Sequence, residues 1–273
     1  MTADIAQALA ALPTLDALMI WVANQPVWLG VVLLILLPML LSVAGALLVT
    51  AVAGRGALIQ NNLVGGAKFA FLAQVFCALL AFVVVNGAIR YNQVRAGIQT
   101  EVSALRLFIE TVEQLPNGAG EAIRPAVRLY ADAVVEHEFL TMQLGQESSR
   151  ARAAMDQVLT RYMAIAGVSQ HDRFEMLQAD QLLVRALHSR ASRLNAVRWG
   201  LKTIIWTIVA ANVALAVAFN WFFGNPSLRM QVLMAAILTA AIMIVTYMAL
   251  LLYHPFSGNL AISPKTFAVL RAP

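Results

Sequence analysis

Asp132, Glu136, His137 and Glu138 form the densest set of side chains able to do chemistry. Asp132 and Glu136 lie four apart and share a helix face, a spacing that suits a bound cation. No second carboxylate–histidine motif exists to complete a di-metal centre, so a solvated helix face is the favoured reading. His171 and Glu175 are also four apart, but a zinc-protease motif needs two histidines around a glutamate. Gly65-Gly66-Ala67-Lys68 lacks the spacing and the Ser/Thr of a phosphate loop. No serine elbow or dinucleotide fingerprint occurs. Cys77 is the only cysteine, which excludes an internal disulfide and a Cys/His zinc set. The expectation is a protein that is not an enzyme, with no catalytic residues, metal or cofactor.

A different pattern runs through Gly66–Val85. At about 100° per residue, Gly66, Ala70, Ala73, Gln74, Cys77, Ala81 and Val84 share one stripe. Leu72, Val75, Phe76, Leu79, Phe82 and Val83 cover the remaining faces. Two readings stand open. Small residues let helices pack closely, or Gly66, Ala70, Gln74, Cys77 and Ala81 line a pore with Gln74 as its polar ring. Lys68, at the outer end, either snorkels or attracts ions to an entrance.

The elements that must carry these residues follow from hydropathy. The chain is 60% hydrophobic and 12% charged, with mean hydropathy +0.74, whereas a soluble domain has about 25% charged residues. Val27–Ala53, Gly66–Val85, Thr203–Phe223 and Met230–Tyr253 are four apolar runs long enough to cross a hydrocarbon core. The expected fold is all-α: a polytopic membrane protein with four transmembrane helices and a helical insert between the second and third. Its divisions are an N-terminal amphipathic segment (1–24), spans one and two (25–86), a helical domain (87–202), spans three and four (203–254) and a tail (255–273). Pro38 is expected to bend the first span, with Ser42 satisfying freed backbone groups. Gly54–Gly65 is expected to be a loop, and Asn212 to seek an interhelical partner.

Charge sets the orientation. Arg90, Arg95, Arg190, Arg193, Arg198, Lys202, Lys265 and Arg271 flank the spans on the insert side, against Arg55, Lys68 and Arg229 opposite. The positive-inside rule then puts the insert and both termini in the cytoplasm, with the spans in the inner membrane. No Asp or Glu follows Asp180. The cations beyond it either meet anionic lipid or line an electropositive vestibule. The net charge of +5 comes without a Lys/Arg run, so nucleic acid is not an expected partner; membrane lipids are.

The insert reads as helix throughout. Val94, Ile98, Val102, Leu105, Ile109 and Val112 continue the second span's helix, which stops at Leu115-Pro116-Asn117-Gly118. Further faces are Ile123, Val127, Tyr130 and Val134; Met155, Val158, Leu159 and Tyr162; and Phe174, Leu177, Val184, Leu187, Ala191 and Leu194. The last of these helices is expected to run through Trp199 into the third span.

Asn61-Asn62-Leu63-Val64-Gly65-Gly66-Ala67-Lys68-Phe69-Ala70 resembles the bacterial bestrophin-like domain family. Asn220-Trp221-Phe222-Phe223-Gly224, Gln231-Val232-Leu233-Met234 and His254-Pro255-Phe256-Ser257-Gly258 are similar to it as well. The family motif thus covers Asn61, Asn62, Gly65, Gly66, Lys68, His254, Pro255, Phe256 and Gly258. The resemblance implies a distant link to bestrophin anion channels, which are pentamers of four-span subunits whose second span lines a neck. Two departures stand out. The tail lacks the clustered carboxylates of a calcium clasp, and Tyr253 occupies the place of an expected aspartate. The expected function is an oligomeric channel passing small ions, anions in particular. The alternative is a non-conducting scaffold or sensor whose insert binds a partner.

Overall fold

The computed structural model describes residues 14–115, 118, 120–143, 146–165, 172–198 and 203–271, and all regular structure among them is helical. In chain order the helices are α1 (Thr14–Ala23), α2 (Val27–Ala53), α3 (Arg55–Glu113), α4 (Ile123–Ala133), α5 (Phe139–Gln143), α6 (Ser149–Met163), α7 (Arg173–Arg198), α8 (Thr203–Asn220) and α9 (Leu228–Tyr253). A π turn, Val134–Glu138, joins α4 to α5, and Gly258–Leu260 and Pro264–Arg271 are 3-10 helices. The chain forms two compact units. A span unit holds Leu12–Arg90 and Leu201–Leu260; an ionic unit holds Tyr91–Gly200 and Ala261–Pro273. The N-terminal half of the expected amphipathic segment, His171 and the link through Trp199 lie outside the described residues.

In the span unit, α2, α3 and α9 are long and apolar enough to cross a membrane, and Ile204–Asn220 is a shorter apolar helix. The most apolar windows of α2, α3 and α9 are only 11%, 17% and 39% buried within the chain. Apolar surface left this open is stable against lipid rather than water.

The bend expected in α2 is a π turn at Val32–Leu36. Pro38 has no N–H to donate to the Leu34 carbonyl, so the ladder widens just before it. The loop expected at Gly54–Gly65 is reduced to one residue: Gly54, at φ +79°, turns the chain and α3 begins at Arg55. The Asn61 and Asn62 side chains bond away from their own helix, so they do not compete with its backbone.

Polar pairs join these helices. Thr239 Oγ1 on α9 donates to Ser42 Oγ on α2 at 2.8 Å, and Trp221 Nε1 reaches the same oxygen at 3.4 Å. Ser42 thus serves its neighbours rather than the backbone freed by Pro38. Gln231 Nε2 donates to Thr50 Oγ1 at 2.6 Å. Asn212 departs from its expected interhelical bond, since its Nδ2 donates to the Ile208 carbonyl one turn back. Val22, Val83, Trp206, Val209, Tyr247 and Leu250 form the unit's apolar core.

In the ionic unit, Ile98, Val102, Leu105, Ile109 and Val112 of α3 are buried with Ile123, Val127 and Tyr130 of α4 and with Met155, Val158 and Tyr162 of α6. Ser148 caps α6, its Oγ accepting from the Ala151 N–H. The face expected for α7 is turned outward in its first half, while Leu187 and Leu194 are half-buried. Phe174, Leu177 and Val184 are 68%, 60% and 65% exposed, while Ala179, Leu183, Ala186, Arg190 and Arg193 point inward. Carboxylates inside the unit require that side of α7, for reasons given below.

Replacing Ser42 with Ala leaves Thr239 Oγ1 and the Trp221 indole without their acceptor. The expected cost is about 1 kcal/mol, read as a lower unfolding midpoint in detergent. An unchanged midpoint would show that the pair does not hold α2 to α9.

Candidate functional site

Glu101 interrupts the apolar face of α3 between Ile98 and Val102, and it is fully buried. Arg193 of α7 meets it with two parallel bonds, Nε to Oε2 at 2.9 Å and Nη2 to Oε1 at 3.1 Å. The same Nη2 lies 2.8 Å from Glu138 Oε2, an ion-pair contact without hydrogen-bond alignment. Arg190 Nη2 donates to Glu138 Oε1 at 2.8 Å and reaches Glu147 Oε1 at 3.4 Å. Tyr130 donates its hydroxyl hydrogen to Glu101 Oε1 and accepts from Arg193 Nη2. Phe267, from the tail, lies 5.5 Å below the Arg193 guanidinium and edge-on to Tyr130 and Phe139.

Burial opposes the Arg193 charge most strongly, but Glu101, Tyr130 and Glu138 together hold its pKa well above the usual arginine value. Tyr130 is driven up first by burial and then by the Glu101 charge. Tyr162 is raised by burial and by its 2.7 Å bond to Asp180.

This cluster corrects two expectations. Glu138 is buried and ion-paired rather than part of a solvated face. Its neighbours Asp132 and Glu136 both meet Arg271, at 2.6 and 3.2 Å, and His137 Nε2 lies 2.8 Å from Arg150. Nor are Arg190 and Arg193 free for lipid or a vestibule. The sequence carried part of the signal: Glu101 sits on the apolar face of α3, where a charge implies an opposite one, whereas Arg190 and Arg193 lie off the apolar face that periodicity suggests for α7. Among the described residues no group of three or more His, Cys, Asp and Glu is placed to hold a metal.

In the span unit, the motif residues build a clamp. Asn62 Nδ2 donates to the Gly224 carbonyl at 2.8 Å, and its Oδ1 accepts the Gly224 N–H at 3.0 Å. Asn61 Nδ2 reaches the Phe222 carbonyl at 3.4 Å. One asparagine thus pairs with both the N–H and the C=O of the buried Gly224. Gly224 must be glycine, because a Cβ there would sit 2.6 Å from the Ile59 nitrogen. Phe69 stacks on Phe219 with centroids 5.7 Å apart and meets Phe223 edge-on at 5.3 Å. At the other end of α9, Pro255, Phe256 and Ser257 are buried, and the Gly258 N–H donates to Asn24 Oδ1 at 3.3 Å.

Gly66 lines a cavity together with the clamp residues Asn62 and Gly224; the other stripe residues take no part in either cluster. Leu58, Gly65, Phe76, Leu80, Val83 and Gly87 form the buried face of α3 in this unit. Ala70, Gln74, Cys77 and Ala81 are exposed and Gly66 is half-buried, on a face turned about 110° from the buried one. Lys68 is also exposed. The small residues therefore do not pack α3 within its own chain.

The bestrophin-like domain model matches residues 36–267. The chain belongs to the bestrophin-like family. A crystal structure of a bacterial bestrophin homologue from Klebsiella pneumoniae carrying a point substitution is similar at TM-score 0.68 and 14% identity, covering 86% of this chain and 96% of the other. A second structure of a bacterial bestrophin homologue from that organism, solved by zinc phasing, gives TM-score 0.68, 13% identity and coverage of 86% and 95%. A structure described as a membrane protein variant gives 0.69, 14%, 86% and 95%. No curated protein matches the chain. At these identities the structures speak for the fold. This bestrophin-like chain is a multi-pass helical membrane protein, and its clamp and ionic cluster both lie within the matched residues.

Arg193→Met leaves Glu101 a buried anion without its cation and Glu138 with Arg190 alone, and the expected loss is about 3–5 kcal/mol. Arg106→Ala breaks only an exposed pair with Glu110, and is expected to cost under about 1 kcal/mol. Chemical unfolding of both variants checks the ranking; equal costs would remove Arg193 from its central place.

The raised tyrosines set a pH dependence. Each binds its proton more tightly folded than unfolded, so its contribution is complete below about pH 10 and lost as pH rises above it. Unfolding free energy is therefore expected to fall between about pH 10 and 11, with a shallower fall in Tyr162→Phe. An identical slope in that variant would count against the assignment.

Proposed function

We propose that this chain is one subunit of an oligomeric channel for small ions that favours anions. In this reading α2, the first part of α3, α8 and α9 are four spans of the inner membrane, and the ionic unit and both termini are cytoplasmic. Five copies surround an axis, the number that the bestrophin resemblance implies. The observation that carries the reading is the exposed small-residue face of α3. Ala70, Gln74, Cys77 and Ala81 are turned out of their own subunit, and between Gly66 and Ala81 that stripe holds only small residues and one amide. Around an axis such residues leave room for a narrow path, and Gln74 offers an amide donor and acceptor in place of ion hydration. Gly66 and Lys68 stand at the outer end, where the ammonium draws anions in.

Two further features support it. Residues 25–90 and 201–260 contain Arg55, Lys68, Arg90, Lys202 and Arg229 but no Asp or Glu, so the fixed field of the spans is positive. Phe174, Leu177 and Val184 form an apolar stripe on α7 in the ionic unit, where the solvent of this reading is water. A neighbouring copy is the economical cover for such a patch.

Reconstitution into liposomes with a chloride gradient tests the path. Cys77→Trp is expected to cut flux at least tenfold, and Gln74→Arg to shift the reversal potential toward that of chloride. Unchanged flux and reversal potential in both variants would place the path elsewhere.

A further inference from the structure

A cavity of about 470 Å³ lies in the span unit, lined by α1, α2, α8 and α9. No residue of α3 borders it, so it is no part of the proposed ion path. Its form follows from the sequence of α8. Trp206, Ala210, Val213, Val217 and Trp221 recur at helical spacing and all line it. An indole stands at each end of this row, and the small side chains of Ala210 and Ala214 leave space between. From Trp206 to Trp221 the chain rises about 22 Å as a helix. One leaflet of the hydrocarbon core is only about 15 Å deep. α2 contributes Leu34 of its π turn, Pro38 and Leu41.

The cavity has an apolar rim and an apolar floor. Leu18, Leu41, Ala210 and Ala214 are exposed, whereas Trp206, Val209, Met243 and Leu250 are buried. The lining carries no charged side chain. Its two hydroxyls are already engaged: Ser42 Oγ accepts from Thr239 and Trp221, and Thr246 Oγ1 donates to the Ile242 carbonyl at 2.9 Å. Water finds no set of partners there. Left empty, the walls forfeit dispersion contacts. The exposed rim is apolar surface of a membrane-spanning unit, so the medium at the mouth is hydrocarbon. A hydrocarbon chain therefore enters without losing any hydration. A neighbouring helix is about 10 Å across with its side chains, too wide to enter as a body.

We propose that this cavity holds one acyl chain of a membrane phospholipid, extended along α8 between Trp206 and Trp221 and against the bend of α2. Methylenes then meet apolar walls throughout, and no polar group is buried in exchange. The headgroup stays at the α1 end, where Trp21 and Trp28 are exposed; indoles favour the headgroup level. The volume falls within the range of small-molecule sites, roughly 300–1,000 Å³. The proposal requires the span unit to sit in a bilayer and does not rest on ion conduction.

Photolabelling of the full chain in liposomes tests it, with a phosphatidylcholine carrying a mid-chain diazirine as the probe and peptide mapping as the readout. Leu40 and Leu48 are exposed, do not line the cavity and report surrounding lipid. Met243 and Leu250 are buried in its floor. Label at Met243 and Leu250 is expected at no less than a tenth of that at Leu40 and Leu48. Ala210→Trp, which fills the mouth, is expected to cut the floor label at least tenfold and leave Leu40 and Leu48 unchanged. Ala211→Trp adds the same bulk at an exposed position outside the lining and is expected to change neither. Floor label below that tenth in the unsubstituted chain overturns the proposal whatever the variants do; an empty cavity and one filled by a neighbour's side chains both give this result. So does floor label that Ala210→Trp leaves untouched, or that Ala211→Trp removes equally. Flux is not the readout, so failure here and failure of the channel reading are separately visible.

Discussion

Arg193 is wholly removed from water, and a buried guanidinium persists only where its charge and its donors are both answered. Glu101 supplies a two-pronged acceptor, Glu138 a second charge, and Tyr130 a hydroxyl that accepts from the arginine while donating to Glu101. Satisfying one side chain therefore fixes three elements: α3 through Glu101, α4 and its π turn through Tyr130 and Glu138, and α7 through Arg193. The π turn itself ends at Glu138, the residue that must face inward. Phe267 closes the cluster, so the last described segment of the chain is held by the same charge.

The span unit meets the same requirement with neutral groups. Hydrocarbon offers no hydrogen bonds, so polar groups there pair with one another or with their own helix. Ser42 with Thr239, Gln231 with Thr50 and Asn62 with Gly224 each tie elements distant in sequence. Amides and hydroxyls suffice where a charge would be too costly to bury. Among the described side chains of this unit, Gln231 Oε1, Asn220 Nδ2 and the Tyr247 hydroxyl are buried without a partner.

Surface chemistry differs between the units in the same physical terms. The apolar outer faces of α2, α3 and α9 are at home in lipid, so their exposure within one chain is ordinary. The exposed Phe174, Leu177 and Val184 of α7 have no such solvent if that unit is bathed in water, which turns an apolar stripe into an argument for assembly.

The sequence alone determined the all-helical class, the membrane character and the family, because hydropathy, helical periodicity and the Asn61–Ala70 motif are local properties of the chain. It also placed the faces of α3, α4 and α6 correctly, since apolar residues recur there at the helical period and point inward. Only the tertiary structure decided which face of α7 is inside. Hydropathy favours burying Phe174, Leu177 and Val184, but pairing Arg190 and Arg193 with carboxylates on distant helices outweighs it. The same holds for Asn61 and Asn62, which read locally as loop residues and in the fold are helical residues that clamp a turn far along the chain. A hydrogen bond or ion pair between residues far apart in the chain, 52 and 92 positions for these arginines and 162 for Asn62, leaves no periodic trace in sequence, because its energy depends on where the partner ends up in space.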